Sequence, residues 1–121
     1  VADDPGVICA AAELTDGGPG VRFQVSWQGQ PTPGFAVRFR GRVYAFLNQC
    51  GHVPVELDWQ EGHFFDAERV YLMCSTHGAL YDPVTGACVG GRCNGRGLTP
   101  LPVEERDDRI RLLKHHLIDH D

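Results

Sequence analysis

The sequence predicts an all-β fold, an antiparallel sandwich or barrel, on three observations. Apolar and polar residues alternate in several stretches, the period of strands with one buried face. Turn-forming residues punctuate the chain at short intervals, with 15 Gly and 8 Pro in 121 residues. Helical periodicity is confined to Ala10 to Leu14 and the last few residues, both short. Val21 to Trp27 places Val21, Phe23, Val25 and Trp27 on one face and Arg22, Gln24 and Ser26 on the other. Phe35 to Arg40 alternates in the same way, Gly41 permits a tight turn, and Arg42 to Asn48 returns as the second arm of a hairpin. Val70 to Met73, Ala79 to Tyr81, Ala87 to Val89, Leu101 to Glu104 and Arg109 to Leu113 are further short strands. Turns at Asp82-Pro83, Thr85-Gly86 and Asp107-Asp108 separate them. Arg38, Arg40 and Arg42 read as a solvated sheet face rather than an anion patch.

Composition bounds the function. A chain of this length with 42% hydrophobic and 22% charged residues is expected to form one domain spanning residues 1–121. Eleven Lys and Arg against sixteen Asp and Glu give a formal net charge of -5, which argues against nucleic acid or an anionic membrane as partner and favours a basic protein surface. The longest clear apolar run, Val7 to Ala12, falls far below the roughly 18 residues of a membrane span, and no signal segment opens the chain. A cytoplasmic monomer is expected. Five Cys and six His suit a metal site in a reducing compartment better than a secreted disulfide framework.

Cys50-Gly51-His52 is followed, after 21 intervening residues, by Cys74-Ser75-Thr76-His77. Each half follows a strand, so each lies on a loop able to curl around a metal. Two thiolates and two imidazoles suit either tetrahedral zinc or a 2Fe-2S cluster in which two His replace two Cys on one iron. Zinc sites usually draw on a C-x2-C knuckle, which is missing, and the single residue between Cys50 and His52 is tight for one ion. Two irons relieve that strain, because each loop can give its Cys to one iron and its His to the other.

With these residues in view, the chain resembles the Rieske 2Fe-2S family, in particular soluble Rieske-type ferredoxins. Cys74-Ser75-Thr76-His77-Gly78-Ala79-Leu80-Tyr81-Asp82, then Thr85-Gly86-Ala87-Cys88, is similar to the second ligand loop of that family and the turn after it. Leu98 to Val103, with Pro100 and Pro102, is similar to the return segment, and Arg42 to Asn48 to the strand entering the first loop. The resemblance implies a Rieske-like base domain with a small cluster-binding subdomain of two loops, roughly residues 48–98. It implies one 2Fe-2S cluster, with Cys50 and Cys74 on the inner iron and His52 and His77 on the outer one. The second ring nitrogen of each His would lie near the surface as an electron port. Ligands on an oxidised iron are the more acidic, so the reduction potential is expected to fall as pH rises at alkaline values. A voltammetric potential that stays flat to strongly alkaline pH would contradict exposed His ligands.

High-potential members carry a Ser directly after the His-Gly of the second loop, a Tyr two residues beyond it and a disulfide between the loops. Here those positions hold Ala79, Tyr81, and the pair Val55 and Thr76. One of three devices that favour reduction survives, which implies a low-to-intermediate potential for the family.

The remaining candidates have plainer readings. Cys88 and Cys93 are read as small buried thiols rather than a local disulfide, and Cys9 as a core residue. The run Gly90 to Gly97 follows no long strand and opens no helix, so it is not a phosphate loop. His63 reads as packed or surface, His115, His116 and His120 as a solvated tail, and Trp27, Trp59 and the Phe residues as core. Together these readings describe a one-electron carrier rather than an enzyme. The resemblance implies a flavin-dependent reductase as donor and a terminal acceptor such as a ring-hydroxylating oxygenase. The length leaves no room for the second domain of an oxygenase subunit. Two alternatives stand beside it, an electron-transfer subunit of a larger oxidoreductase complex and a structural zinc-binding interaction module.

Overall fold

A computed structural model describes residues 6–50, 55–58, 60–76, 78–91 and 96–118. Ten strands are present among them. They are β1 (Val7–Ala10), β2 (Val21–Trp27), β3 (Gln30–Phe39), β4 (Arg42–Leu47), β5 (Leu72–Met73), β6 (Leu80–Tyr81), β7 (Cys88–Gly90), β8 (Pro100–Leu101), β9 (Val103–Arg106) and β10 (Arg109–Leu112). The fold is all-β, as the alternation predicts, and the ten strands pair antiparallel throughout. The strands form three sheets, ordered β1-β10-β9, β2-β3-β4-β8 and β5-β6-β7.

The four-stranded sheet is central, and the burial of β3 shows why. Phe35 and Val37 point into one apolar cluster with Phe46, Leu57, Phe64, Leu72 and Tyr81. Ala36, between them, joins a second cluster with Ala45, Leu47, Leu101, Ile110 and Leu112. The alternation that suggests a half-buried strand is therefore two buried faces of unequal size, large aromatic residues on one and Ala on the other. Phe35 stacks on Phe64 with centroids 3.9 Å apart, which joins the sheet to the segment between the two predicted ligand loops.

Hairpin turns follow the expected chemistry. Arg40 and Gly41 both have positive φ, at 51° and 84°, and so do Asp107 and Asp108, at 54° and 62°. Positive φ at both central residues gives a twist that matches the flanking strands.

Several boundaries differ from expectation. β3 begins at Gln30, five residues early, despite Pro31 and Pro33. Residues 30–33 pair with β2 alone, so these prolines sit where no second neighbour needs an N–H. The expected strand Leu101 to Glu104 is broken at Pro102, with β8 joining β4 and β9 joining β10. The helix expected over Ala10 to Leu14 shrinks to one 3-10 turn, Ala11–Glu13, after β1. The C-terminal segment is not a solvated tail within the described residues. Leu117 bridges Val25, Ser26 donates to the carbonyl of His116, and the His115 ring lies 5.1 Å from that of Trp27. His120 and Trp59 lie outside the described residues.

Arg38 is likewise no part of a solvated face. Its side chain is 14% exposed and pairs bidentately with Glu105, at 3.0 and 2.9 Å. Its Nε–H donates to the Leu14 carbonyl at 2.8 Å, so one guanidinium ties the 3-10 turn to β9. Those hydrogen bonds hold the Glu105 carboxyl below the usual carboxylate range. The folded value lies below the unfolded one, so the pair stabilises the fold above the unfolded value of about 4.3 and loses that effect as pH falls through the lowered value. Arg38→Ala is expected to cost about 2 kcal/mol at neutral pH and to flatten the acid limb of stability against pH in urea titrations. An acid limb as steep as that of the parent protein would refute the pairing. Cys9 is buried as expected, and burial, with Glu13 nearby, pushes its thiol up to about 11.

Candidate metal centre

The first predicted ligand loop leaves the end of β4. Leu47 is buried on the far side of the sheet, Asn48 is fully buried, and Cys50 follows at 5% exposure. Cys50 N–H donates to the Val55 carbonyl at 2.7 Å, so the chain turns back at once. The second loop leaves β5, whose two residues place Cys74 at 0% exposure. Cys74 N–H donates to the Ala79 carbonyl at 2.9 Å and Gly78 N–H to the Cys74 carbonyl at 2.8 Å, closing a tight turn into β6. Gly78 has φ +74°, a conformation that favours glycine.

Cys50 and Cys74 lie in the same apolar cluster, together with Leu57, Ala79, Tyr81 and Leu98. Neither is in a disulfide. Two buried thiols from separate loops, in one apolar cluster, are donors that a soft metal needs, and they fit a 2Fe-2S cluster. Tyr81 adds a specific feature. Its side chain is fully buried and its hydroxyl lies 3.3 Å from Cys50 Sγ. The hydroxyl therefore meets sulfur rather than backbone alone. Ala79 is also fully buried and brings no hydroxyl. Val55 and Thr76 are exposed, and neither is a Cys, so no disulfide joins the loops there. His52 and His77 lie outside the described residues. Among the described residues no group of three His, Cys, Asp or Glu could hold a metal ion.

Two features escape the sequence reading. The first is a buried polar network. Asn48 Oδ1 accepts from Leu57 N–H at 2.8 Å, and its Nδ2 donates to Asp58 Oδ1 at 2.9 Å. Asp58 Oδ2 accepts from Gly62 N–H at 2.9 Å and lies 3.6 Å from Arg22 Nε. The signal in the sequence is the Leu57-Asp58 pair, a carboxylate beside an apolar residue a few positions after the first motif. The second is a correction. Cys88 is disulfide-bonded, not the thiol expected in a reducing compartment. Cys9, Cys50 and Cys74 are all thiols, and the fifth cysteine, Cys93, lies outside the described residues.

Of the packed and surface readings of His63, the structure shows the second: it is exposed and lines a cavity of about 380 Å³ with Gly17, Phe64 and Arg69. Among the described residues no helix is long and apolar enough to cross a membrane.

The family model for the Rieske [2Fe-2S] domain matches residues 4–107. No curated protein matches the chain. Among solved structures, the chain is similar to the ferredoxin of carbazole 1,9a-dioxygenase from Nocardioides aromaticivorans IC177. The identity is 24% and the TM-score 0.68, over 91% of this chain and 97% of that one. It is similar to the Sphingomonas yanoikuyae B1 ferredoxin at 23% identity and TM-score 0.64, over 88% and 94%. The terminal oxygenase of carbazole 1,9a-dioxygenase from Nocardioides aromaticivorans IC177 matches at 19% identity and TM-score 0.69, over 98% of this chain but 30% of that one. At these identities the likeness is one of fold.

Proposed function

Because the chain belongs to the Rieske [2Fe-2S] domain family, we propose that it is a one-electron carrier, taking electrons from a flavin-dependent reductase and passing them to a terminal acceptor such as a ring-hydroxylating oxygenase. The observation that carries the reading is the buried pair Cys50 and Cys74, with the Tyr81 hydroxyl on Cys50 Sγ. When bound, the 2Fe-2S cluster supplies storage for a single electron. Cys50, His52, Cys74 and His77 hold it, and residues roughly 48–98 form the subdomain around it. Cys50 and Cys74 are both buried, and the Tyr81 hydroxyl on Cys50 Sγ would stabilise negative charge added there. The motif leaves His52 and His77 as the ligands for the acceptor-facing side. The chain performs no bond chemistry of its own, and its net charge of -5 suits a basic docking face on the partner.

The ferredoxin of carbazole 1,9a-dioxygenase has been solved in complex with its oxygenase, which supports an oxygenase as acceptor. One observation favours a second reading, an electron-transfer part of a larger oxidoreductase, since a terminal oxygenase holds this fold in about 30% of its chain. The test is the purified protein itself. It is expected to be red-brown, to contain two irons per chain, to gain a paramagnetic signal on one-electron reduction, and to run as a monomer that a flavin reductase reduces. A colourless, zinc-loaded protein would refute the carrier, and a coloured protein that accepts electrons only within a larger complex would establish the second reading.

A further inference from the structure

We propose that Asn48, Asp58 and Arg22 form a relay that positions the two ligand loops against each other and sets the reduction potential of the site through two opposed charges. The inference rests on the cluster reading above and concerns residues outside the ligand set. Asn48 sits at the end of β4, fully buried, with its own N–H donating to the Pro33 carbonyl of β3 at 2.8 Å. Its amide ties the end of β4 to residues 57 and 58 by holding Leu57 N–H and the Asp58 carboxylate. The Leu57 carbonyl then accepts from Ser75 N–H, next to Cys74, at 2.9 Å. One side-chain amide thus connects the central sheet, the loop that carries Cys50 and, through the single residue Leu57, the loop that carries Cys74. Asn48 is a positioning residue, since it acts on both thiolates through backbone.

Charge gives the relay its second effect. Arg22, on β2, faces three carboxylates, with Glu56 at 2.6 Å, Asp58 at 3.6 Å and Glu61 at 4.0 Å. The Glu56 and Glu61 side chains are 42% and 80% exposed, so water screens them. The Asp58 side chain is fully buried, and its charge acts at low dielectric. Asp58 directly follows Leu57, which packs in the apolar cluster that holds Cys50 and Cys74, so a buried anion there disfavours an added electron and the guanidinium offsets it. Asp58 and Arg22 therefore push the reduction potential in opposite directions.

The experiment measures midpoint potential and cluster-loss rate in the loaded protein for Arg22→Gln, Asp58→Asn, the double variant and Asn48→Ala. At a fixed potential near the parent midpoint, Asp58→Asn is expected to raise the reduced-to-oxidised ratio by on the order of three- to tenfold, and Arg22→Gln to lower it by a similar factor. The double variant is expected to return close to the parent. Asn48→Ala, which leaves Leu57 N–H and the carboxylate short of a partner, is expected to lose its cluster on the order of tenfold faster. Should Asn48→Ala fail to accumulate, the two charge variants still decide. Shifts of the same sign, or no shift in either, would overturn the relay. A parent protein that binds no cluster would instead overturn the carrier reading.

Discussion

Tyr81→Phe is expected to lower the reduction potential by about 40 to 65 mV relative to the parent protein. Tyr81 is fully buried in β6, and its hydroxyl lies 3.3 Å from Cys50 Sγ. A ligating thiolate carries no proton, so in the loaded protein the hydroxyl is the donor. Added negative charge on sulfur strengthens that bond, which therefore stabilises the reduced state more than the oxidised one. A hydrogen bond of this kind contributes about 1 to 1.5 kcal/mol, and for one electron that corresponds to the range above. Phe fills the same space, so packing around Phe35 and Leu72 is kept and the change isolates the hydroxyl. Ala79→Ser is the complement. It introduces a hydroxyl at a fully buried position on the second loop and is expected to raise the potential by a comparable amount. Voltammetry on both variants checks the account, and a rise for Tyr81→Phe or a fall for Ala79→Ser would refute it.

Fold class and thiols were legible in the sequence for one reason, that both are local patterns. Alternation over β2 and the two Cys-to-His spacings need no knowledge of what lies across the molecule. Three of the misreadings involve partners distant in sequence. Arg38 looks like one of three exposed arginines until Glu105, contributed by β9, is seen to face it. His115 and His116 look like a polar tail because nothing nearby indicates that residues 116–118 lie along β2. Pro31 and Pro33 argue against a strand until their segment proves to have β2 as its one strand partner, so that no second strand needs a proline N–H. The Asn48 relay was hidden for the same reason, since its donor and its acceptor sit nine and ten residues away on a loop. The Cys88 disulfide departs from compartment logic, which sets a tendency for a whole chain and not the state of a single pair.

Gly91→Ala is expected to destabilise the fold by about 3 kcal/mol or more and to reduce cluster content in the purified protein. Gly91 follows β7 with φ +76°, where any L side chain is strained. Strain alone costs about 1 to 2 kcal/mol. The larger effect is steric. A Cβ at Gly91 would lie 2.7 Å from the Gly78 carbonyl oxygen and 2.8 Å from Ala79 Cα. Both are backbone atoms of the turn that closes on Cys74, so no rotamer change can relieve the clash and the second ligand loop itself must shift. Two other glycines separate the causes. Gly41, in the β3–β4 turn, has φ +84° and nothing within 4 Å of its added Cβ, so Gly41→Ala reports strain alone. Gly90, one residue earlier in β7, would place a Cβ 3.7 Å from Leu80 Cδ1, an ordinary contact, so Gly90→Ala reports substitution in that strand without clash. In denaturant titrations the loss is expected to order Gly91→Ala above Gly41→Ala above Gly90→Ala, with cluster content reduced only in the first. Equal losses at Gly91 and Gly41 would mean that the approach of β7 to the second loop is loose, and that the loop is held by its own hydrogen bonds rather than by the strand behind it.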